Sequence, residues 1–254
     1  MTHRVRGHSN DKRPSMEPVS AAKPRYVLKP DPQSSHSIIL RWLGAGGGRR
    51  VLDVGAADGI VSQKLTERGW RVTGIESDPG LAQTGARHCE RMIAADLNKE
   101  IPEVDGPFDA IVFGDVLEHL IDPLRVLVEI DRALAPHGFV VISVPNIAHL
   151  YIRLLLLFGR FDYVDRGILD NTHMRFFTAR SLRALIADAG LTVERFTATP
   201  APLYQVLPAS WHTRWVAVTH TVNAVIARRL PRLLGYQFLV LARPKGGALP
   251  AANG

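Results

Sequence analysis

The sequence predicts an α/β fold, a doubly wound and mostly parallel sheet, and three observations predict it. Short apolar runs recur through the middle of the chain, helical patterns alternate with them, and several of the runs end in glycine or an acid. Strands that are apolar on both faces and separated by helices belong to a sheet covered on both sides. No run is long enough to span a bilayer, the longest lying around Leu154–Phe158.

In chain order, residues 1–24 are rich in Arg, Lys, Ser and Pro without a period and read as a disordered basic arm. A folded domain is expected over 25–245 and a flexible tail over 246–254. The pattern "SHSIILRWL" predicts a helix that "GAGGGRR" breaks ahead of the first strand. Strands are expected at Arg50–Val54, Trp70–Ile75, Met92–Ala95, Phe108–Phe113 and Phe139–Val144. Helices are expected at Gly59–Arg68, Gly80–His88 and Pro123–Leu134. Regular alternation then stops. Residues 146–177 read as an apolar, aromatic insertion, followed by the helix "TARSLRALIADAG" and the strand "LTVERFTA". A second insertion, 200–234, precedes a last strand, "YQFLVLA".

That second insertion carries Trp211, Trp215, Val218, Val222, Ile226, Leu230 and Leu233 at helical spacing, an amphipathic seam. Three occupants suit it: the domain itself, a second subunit in a homodimer, or an anionic membrane surface helped by Arg228, Arg229 and Arg232.

The formal charge of +7 is unevenly placed. Residues 1–30 and 195–254 hold the excess of Lys and Arg, and the second stretch contains no acid, so the body of the domain is acidic on balance. Nucleic acid is therefore not the expected partner, because the basic charge sits at the ends rather than on a domain face. The lone Cys89 excludes an intrachain disulfide framework and fits a reducing, cytoplasmic setting. The polar start of the chain offers no secretory signal pattern. No His, Cys and acid set stands at metal-ligand spacing, so no metal is expected.

"VLDVGAADG" (Val51–Gly59) is the stretch that points to a ligand. A strand ending in Gly55 and a helix starting near Gly59 put backbone N–H groups and a small-residue floor at one spot. The dinucleotide fingerprint G-x-G-x-x-G fails here, which argues against a nicotinamide oxidoreductase. Glu76, at the end of the second strand, suits two ribose hydroxyls, since a carboxylate can accept both hydrogen bonds. Asp96, ending the third, suits an adenine amino group.

At these residues the chain resembles the class I S-adenosylmethionine-dependent methyltransferases. "VLDVGAADG", "VTGIESD", "AADL", "FDAIVFGDVLEHLIDP" and "LAPHGFVVISVPN" are similar to that family's ordered motifs, over about residues 35–243. The resemblance implies a Rossmann-like, seven-stranded sheet with an antiparallel C-terminal strand, S-adenosyl-L-methionine as cofactor, and cofactor contacts from Asp53, Gly55, Ala57, Gly59, Glu76, Ser77, Asp96, Leu97, Asp115, Glu118 and His119. Ala57 departs from the glycine most frequent there. Asp53 suits either a cap on the turn or the cofactor's amino group, and Asp96 either adenine or its own turn. Asp115, Glu118 and His119 share a face if their segment is helical, where Glu118 and His119 would hold the loop beneath the sulfonium.

For a hydroxyl acceptor the protein must also remove a proton, a task suited to neutral histidine near pH 7. His119, His149 and His173 are the candidates. His173 is preferred, because Asp170 three residues earlier can orient it; His149 can equally line the pocket. "LDNTHMRFFTARSLRALIADAGL" is similar to a stretch found in methyltransferases of cell-surface polysaccharide and glycoside pathways, which implies a glycan hydroxyl. The alternative is a small aromatic or quinone-type hydroxyl, accommodated by Leu150, Tyr151, Leu154, Leu155, Phe158, Phe161 and Tyr163, although core packing is the expected job of most of these. A non-catalytic cofactor-binding module is the reading from another class.

Overall fold

The structure, a computed structural model, describes residues 31–206 and 214–245. The expected arm over 1–24, the tail over 246–254 and Trp211 lie outside these residues. Seven strands form one sheet: β1 (Arg50–Val54), β2 (Arg71–Glu76), β3 (Arg91–Ala94), β4 (Phe108–Gly114), β5 (Leu134–Pro145), β6 (Leu191–Ala198) and β7 (Gln237–Pro244), in the order β3-β2-β1-β4-β5-β7-β6. The first five strands are parallel, and β7 lies antiparallel between β5 and β6. Strand order reverses between β1 and β4, so the crevice expected for a ligand opens at the carboxyl ends of those two.

Alternating residues of each strand feed two cores, as a sheet covered on both faces requires. Val51, Val72, Val112 and Val141 pack with Ile38, Ile39 and Leu43 of α1 (Ser35–Leu43) and Leu65 of α2 (Ile60–Thr66). Leu52, Val54, Ile111 and Ile142 pack on the opposite side with Leu127 of α4 (Pro123–Asp131) and Leu182 and Ile186 of α6 (Ala179–Asp188). The remaining helix of this region, α3 (Pro79–Gly85), is capped by Asp78, which accepts from two backbone N–H groups. Thr178 and Ser181 close a reciprocal capping box at the start of α6.

The element boundaries differ from expectation where turn chemistry intrudes. β5 begins at Leu134 rather than Phe139, because Leu134 pairs with Phe108 across a register shift that absorbs Pro136 and Gly138. The helix expected to reach His88 stops at Gly85 and tightens into a 3-10 turn over Ala86–His88.

The insertions depart most. Within 146–177 only α5 (Leu150–Leu157) is helical. The core packing expected there is made chiefly by Ile152, Ile168 and Leu169, with Leu155 partly buried; Tyr151, Leu154, Phe158 and Tyr163 are exposed, Phe158 at 76%. After α7 (Leu203–Val206), α8 (Arg214–Arg229) docks through His220, Ala224 and Ala227, the small residues giving close approach and His220 Nε2 meeting Asp31 Oδ2 at 2.7 Å. The apolar seam of Trp215, Val218, Val222, Ile226 and Leu230 therefore does not dock on the domain but faces outward. A short α9 (Pro231–Leu234) leads into β7.

Asp131, in the last turn of α4, has both carboxylate oxygens shut off from solvent with no hydrogen-bond partner among the described residues. Burial pushes its pKa up to about 7. The folded state thus holds this proton more tightly than the unfolded chain, so the stabilisation is complete at low pH and is lost as pH rises towards 7. Asp131→Asn is expected to flatten the stability curve between about pH 4 and 7 and to remove a decline of at most about 4 kcal/mol. Denaturant unfolding of both proteins across that range checks this; parallel curves would refute it.

Candidate active site

The turn after β1 is built by left-handed backbone. Gly55 (φ 70°) and Gly59 (φ 81°) take that conformation without a Cβ; one on Gly55 would come within 2.5 Å of Val116 Cγ2, and one on Gly59 within 2.9 Å of the Gly85 Cα. Ala57 also lies there at φ 51°, which is the physical reason glycine suits this position better. Its N–H donates to Glu76 Oε2 at 2.9 Å, while Glu76 Oε1 accepts from the Asp78 N–H (2.8 Å) and Ser77 Oγ (3.1 Å). Glu76 is buried, and Oε2 retains a lone pair beyond these bonds, while both lone pairs of Oε1 are taken. A small-residue floor beside a carboxylate fixed in this way fits an adenosine-bearing cofactor, with Glu76 the residue able to hold a ribose.

Asp53 is buried at the strand end and receives Ser62 Oγ at 2.6 Å, which ties β1 to α2. Burial raises its pKa to about 6; the Ser62 bond opposes this and the charge of Glu76 adds to it. Asp96 takes the turn role: one oxygen accepts from the Asn98 N–H at 3.0 Å and the other pairs with Lys99 at 3.2 Å. Leu97 is buried, its carbonyl accepting from Arg125.

Asp115 does not share a helical face with Glu118 and His119. It sits past the end of β4 in left-handed backbone (φ 59°), and only Leu117–His119 form a 3-10 turn. Asp115 Oδ1 accepts from Ser143 Oγ at 2.6 Å and Oδ2 from Gln237 Nε2 at 2.8 Å, joining β4 to β5 and β7. Glu118 is buried, and its carbonyl accepts from the N–H groups of Met174 and Arg175, so this turn anchors the first insertion.

The three histidines have different surroundings. His149 caps α5: its Nδ1 accepts from the Tyr151 N–H at 3.2 Å, and burial lowers its pKa. A ring nitrogen occupied as a helix cap is not a free base. His173 and His119 instead direct Nδ1 at carbonyls, of Ile168 (3.2 Å) and Thr172 (3.2 Å), which leaves Nε2 as the accepting nitrogen of each neutral ring. Their rings meet edge to face at 4.9 Å. Burial, then the neighbouring His119, depress the His173 pKa.

The expectation that Asp170 orients His173 needs correction. Asp170 Oδ1 accepts from the N–H (2.8 Å) and Oγ1 (2.6 Å) of Thr172, closing its own turn, and the group that holds the His173 ring is the Ile168 carbonyl. Burial raises the Asp170 pKa, but the Thr172 hydrogen bonds and the two histidines outweigh it and bring the carboxyl below its ordinary value.

Sequence reasoning missed Ser143, Gln237 and Tyr236, because only the antiparallel insertion of β7 brings the last two to the crevice edge. Tyr236 lies 6.1 Å from the His149 ring, and burial raises its pKa. The fold also assembles a set that spacing could not reveal: Glu118, His119 and His173 each offer a ligand atom within 4.8 Å of the others, close enough to share a cation, though one protein ligand short of a closed zinc site.

Two substitutions in the turn are expected to act with opposite sign. Gly55→Ala forces a Cβ into Val116 in left-handed backbone and should cost about 1–3 kcal/mol. Ala57→Gly relieves strain of about 1 kcal/mol, partly offset by glycine's entropy in the unfolded chain, for a net gain between zero and about 1 kcal/mol. Chemical denaturation measures both, and a loss on Ala57→Gly would contradict the turn geometry.

Over residues 24–195 the chain matches the family model described as Methyltransferase domain. It is 30% identical over 195 residues to the ubiquinone biosynthesis O-methyltransferase of Psychrobacter arcticus, covering 73% of each chain. It is 33% identical over 155 residues to the protein of that name from Xylella fastidiosa, covering 58% of this chain and 62% of the other. An S-adenosylmethionine-dependent methyltransferase from Mesorhizobium loti shares the fold at a TM-score of 0.57 and 17% identity, over 83% of this chain and 98% of that one. A TehB-like methyltransferase from Corynebacterium glutamicum does so at 0.51 and 18%, over 83% and 87%. The chain thus belongs to the methyltransferase-domain family as an S-adenosylmethionine-dependent methyltransferase.

Proposed function

We propose that the chain methylates a hydroxyl on a small aromatic or quinone-type acceptor. One observation carries this reading: ring contacts run from His119 through His173, Phe176 and Phe161 to Tyr163, at centroid separations of 4.9, 6.3, 5.7 and 5.6 Å. Such a wall takes a flat ring edge-to-face or offset-stacked and leads it to an imidazole. The names of the Psychrobacter and Xylella relatives support the same acceptor class. The glycan acceptor rests on the resemblance of one stretch and gains no support from them.

When bound, S-adenosylmethionine supplies a methyl group already activated by its sulfonium, which leaves alignment, exclusion of water and removal of one proton to the protein. Glu76 would hold the ribose through the remaining lone pair of Oε2, supported by Ser77 and by the Ala57 N–H. Gly55 and Gly59 keep the floor open, Asp53 would meet the cofactor's amino group, and the turn of Asp96 and Leu97 would border the adenine. Glu118 and His119 hold the loop on which the insertion rests. His173 Nε2 takes the acceptor's proton, while the Ile168 carbonyl holds Nδ1–H and the charges of Asp170 and then Asp115 favour the imidazolium that forms. Asp170 and His149 fix the turn and helix around this base.

Calorimetric titration with S-adenosylmethionine is expected to give binding that Glu76→Ala reduces by at least about tenfold, the loss of one charge-assisted hydrogen-bond set. Transfer of labelled methyl to catechols and hydroquinones, beside a panel of monosaccharides, then tests the acceptor; methylation confined to the sugars would overturn it.

The protonated form of His173 cannot accept a proton, so activity should fall as pH drops, with a midpoint below that of an ordinary histidine because the pKa is depressed. His173→Gln should lower kcat by about 100-fold or more and abolish this acid limb. An unchanged pH profile in the variant would assign the base elsewhere.

A further inference from the structure

The outer face of α8 is the strongest feature that methyl transfer leaves unexplained. Its inward face is polar and small, with His220 3% exposed beside the buried Ala224 and Ala227. On the opposite side Val218, Val222 and Val225 are 55%, 51% and 49% exposed, with Ile226 at their margin. The helix is therefore docked in the reverse of the usual amphipathic sense, its large aliphatic side chains turned away from the domain. An exposed apolar strip of this kind marks an interaction surface.

Charge decides between the occupants that remain once docking on the domain is removed. Arg229 and Arg232 stand exposed at the C-terminal end of the strip, and from residue 195 to residue 254 the sequence contains no Asp or Glu. A two-fold dimer would place this patch against its own copy, basic segment meeting basic segment with no acid from residues 195–254 to compensate. A bilayer carrying anionic headgroups complements both features, taking the aliphatic strip into the interface and the arginines at the phosphates. The helix is also tied to the acceptor edge: Asn146 Nδ2 donates to the carbonyls of Pro231 (3.4 Å) and Gly235 (2.8 Å), just beyond α8 and beside Tyr236.

We propose that the Val218–Val222–Val225 face of α8, with Arg229 and Arg232, docks the protein on an anionic lipid surface. This stands independently of the acceptor class, although a lipophilic acceptor would be met at the same surface.

The test is flotation of the full chain with phosphatidylcholine vesicles containing increasing phosphatidylglycerol, at low and at high salt. Binding is expected to rise with the anionic fraction and to weaken with salt. The pairs V222E/V225E and R229E/R232E should each reduce it about tenfold or more, with the melting temperature and transfer to a water-soluble hydroquinone unchanged. Three results would overturn the proposal: a protein that never floats, binding that both variant pairs retain, or a dimer that V222E/V225E dissociates, which would make a second copy the occupant. A fall in melting temperature in V222E/V225E would also overturn it, by showing that the chain itself covers the strip. Because the soluble acceptor is assayed alongside, failure of docking is distinguishable from failure of methyl transfer.

Discussion

The buried carboxylate of Glu76 is the constraint on which the cofactor side of the crevice depends. It lies at the end of β2 and grips the turn after β1 through the Ala57 N–H, while the Asp78 N–H and Ser77 Oγ hold its other oxygen. A charge taken out of water is tolerable only when hydrogen bonds satisfy it, and here the satisfying groups are backbone amides and a hydroxyl rather than a cation. The arrangement leaves a lone pair of Oε2 for a ligand. It also explains why left-handed strain at Ala57 persists: the strained residue is the one that delivers its N–H to Glu76.

A second strained residue, Asp115, performs the corresponding task on the acceptor side. Its positive φ turns the chain away from β4 so that both oxygens reach neighbouring strands, Ser143 on β5 and Gln237 on β7. Strain of this kind is maintained only where surrounding bonds over-determine it, and Asp115 has four such bonds, counting its N–H to the carbonyl and to the hydroxyl of Ser143. The charge so fixed acts on both His173 and Tyr236.

What the sequence revealed follows a physical division. Gly55, Gly59 and Glu76 were legible because a parallel strand, its turn and the next helix are local, and the end of a strand is where a ligand of such a sheet binds. A seven-stranded sheet with an antiparallel C-terminal strand was legible through the family resemblance of its ordered motifs. The partners of Asp115 and His173 were not. Gln237 reaches Asp115 from the far end of the chain, and Asp170, near His173 in sequence, closes a turn with Thr172 instead of turning towards the ring. Periodicity identified the α8 helix but not its orientation. Ala224 and Ala227 contribute little hydrophobicity to a pattern yet permit the closest approach, so they rather than the valines face the domain.

The two halves of the site are thus built by different means. The cofactor half consists of strand ends and one turn, whose geometry any parallel sheet of this order supplies. The acceptor half is assembled from an insertion, an antiparallel strand and a 3-10 turn, held by contacts such as Met174 and Arg175 on the Glu118 carbonyl and Asn146 on the loop before β7. Asp115 is the joint between them, because it follows a strand of the first half and is bonded to a strand of the second. The hydrogen bonds that fix Glu76 are therefore independent of the insertion 146–177. Among the described residues, the exposed large aromatic and aliphatic side chains are concentrated in 146–177 and 200–234.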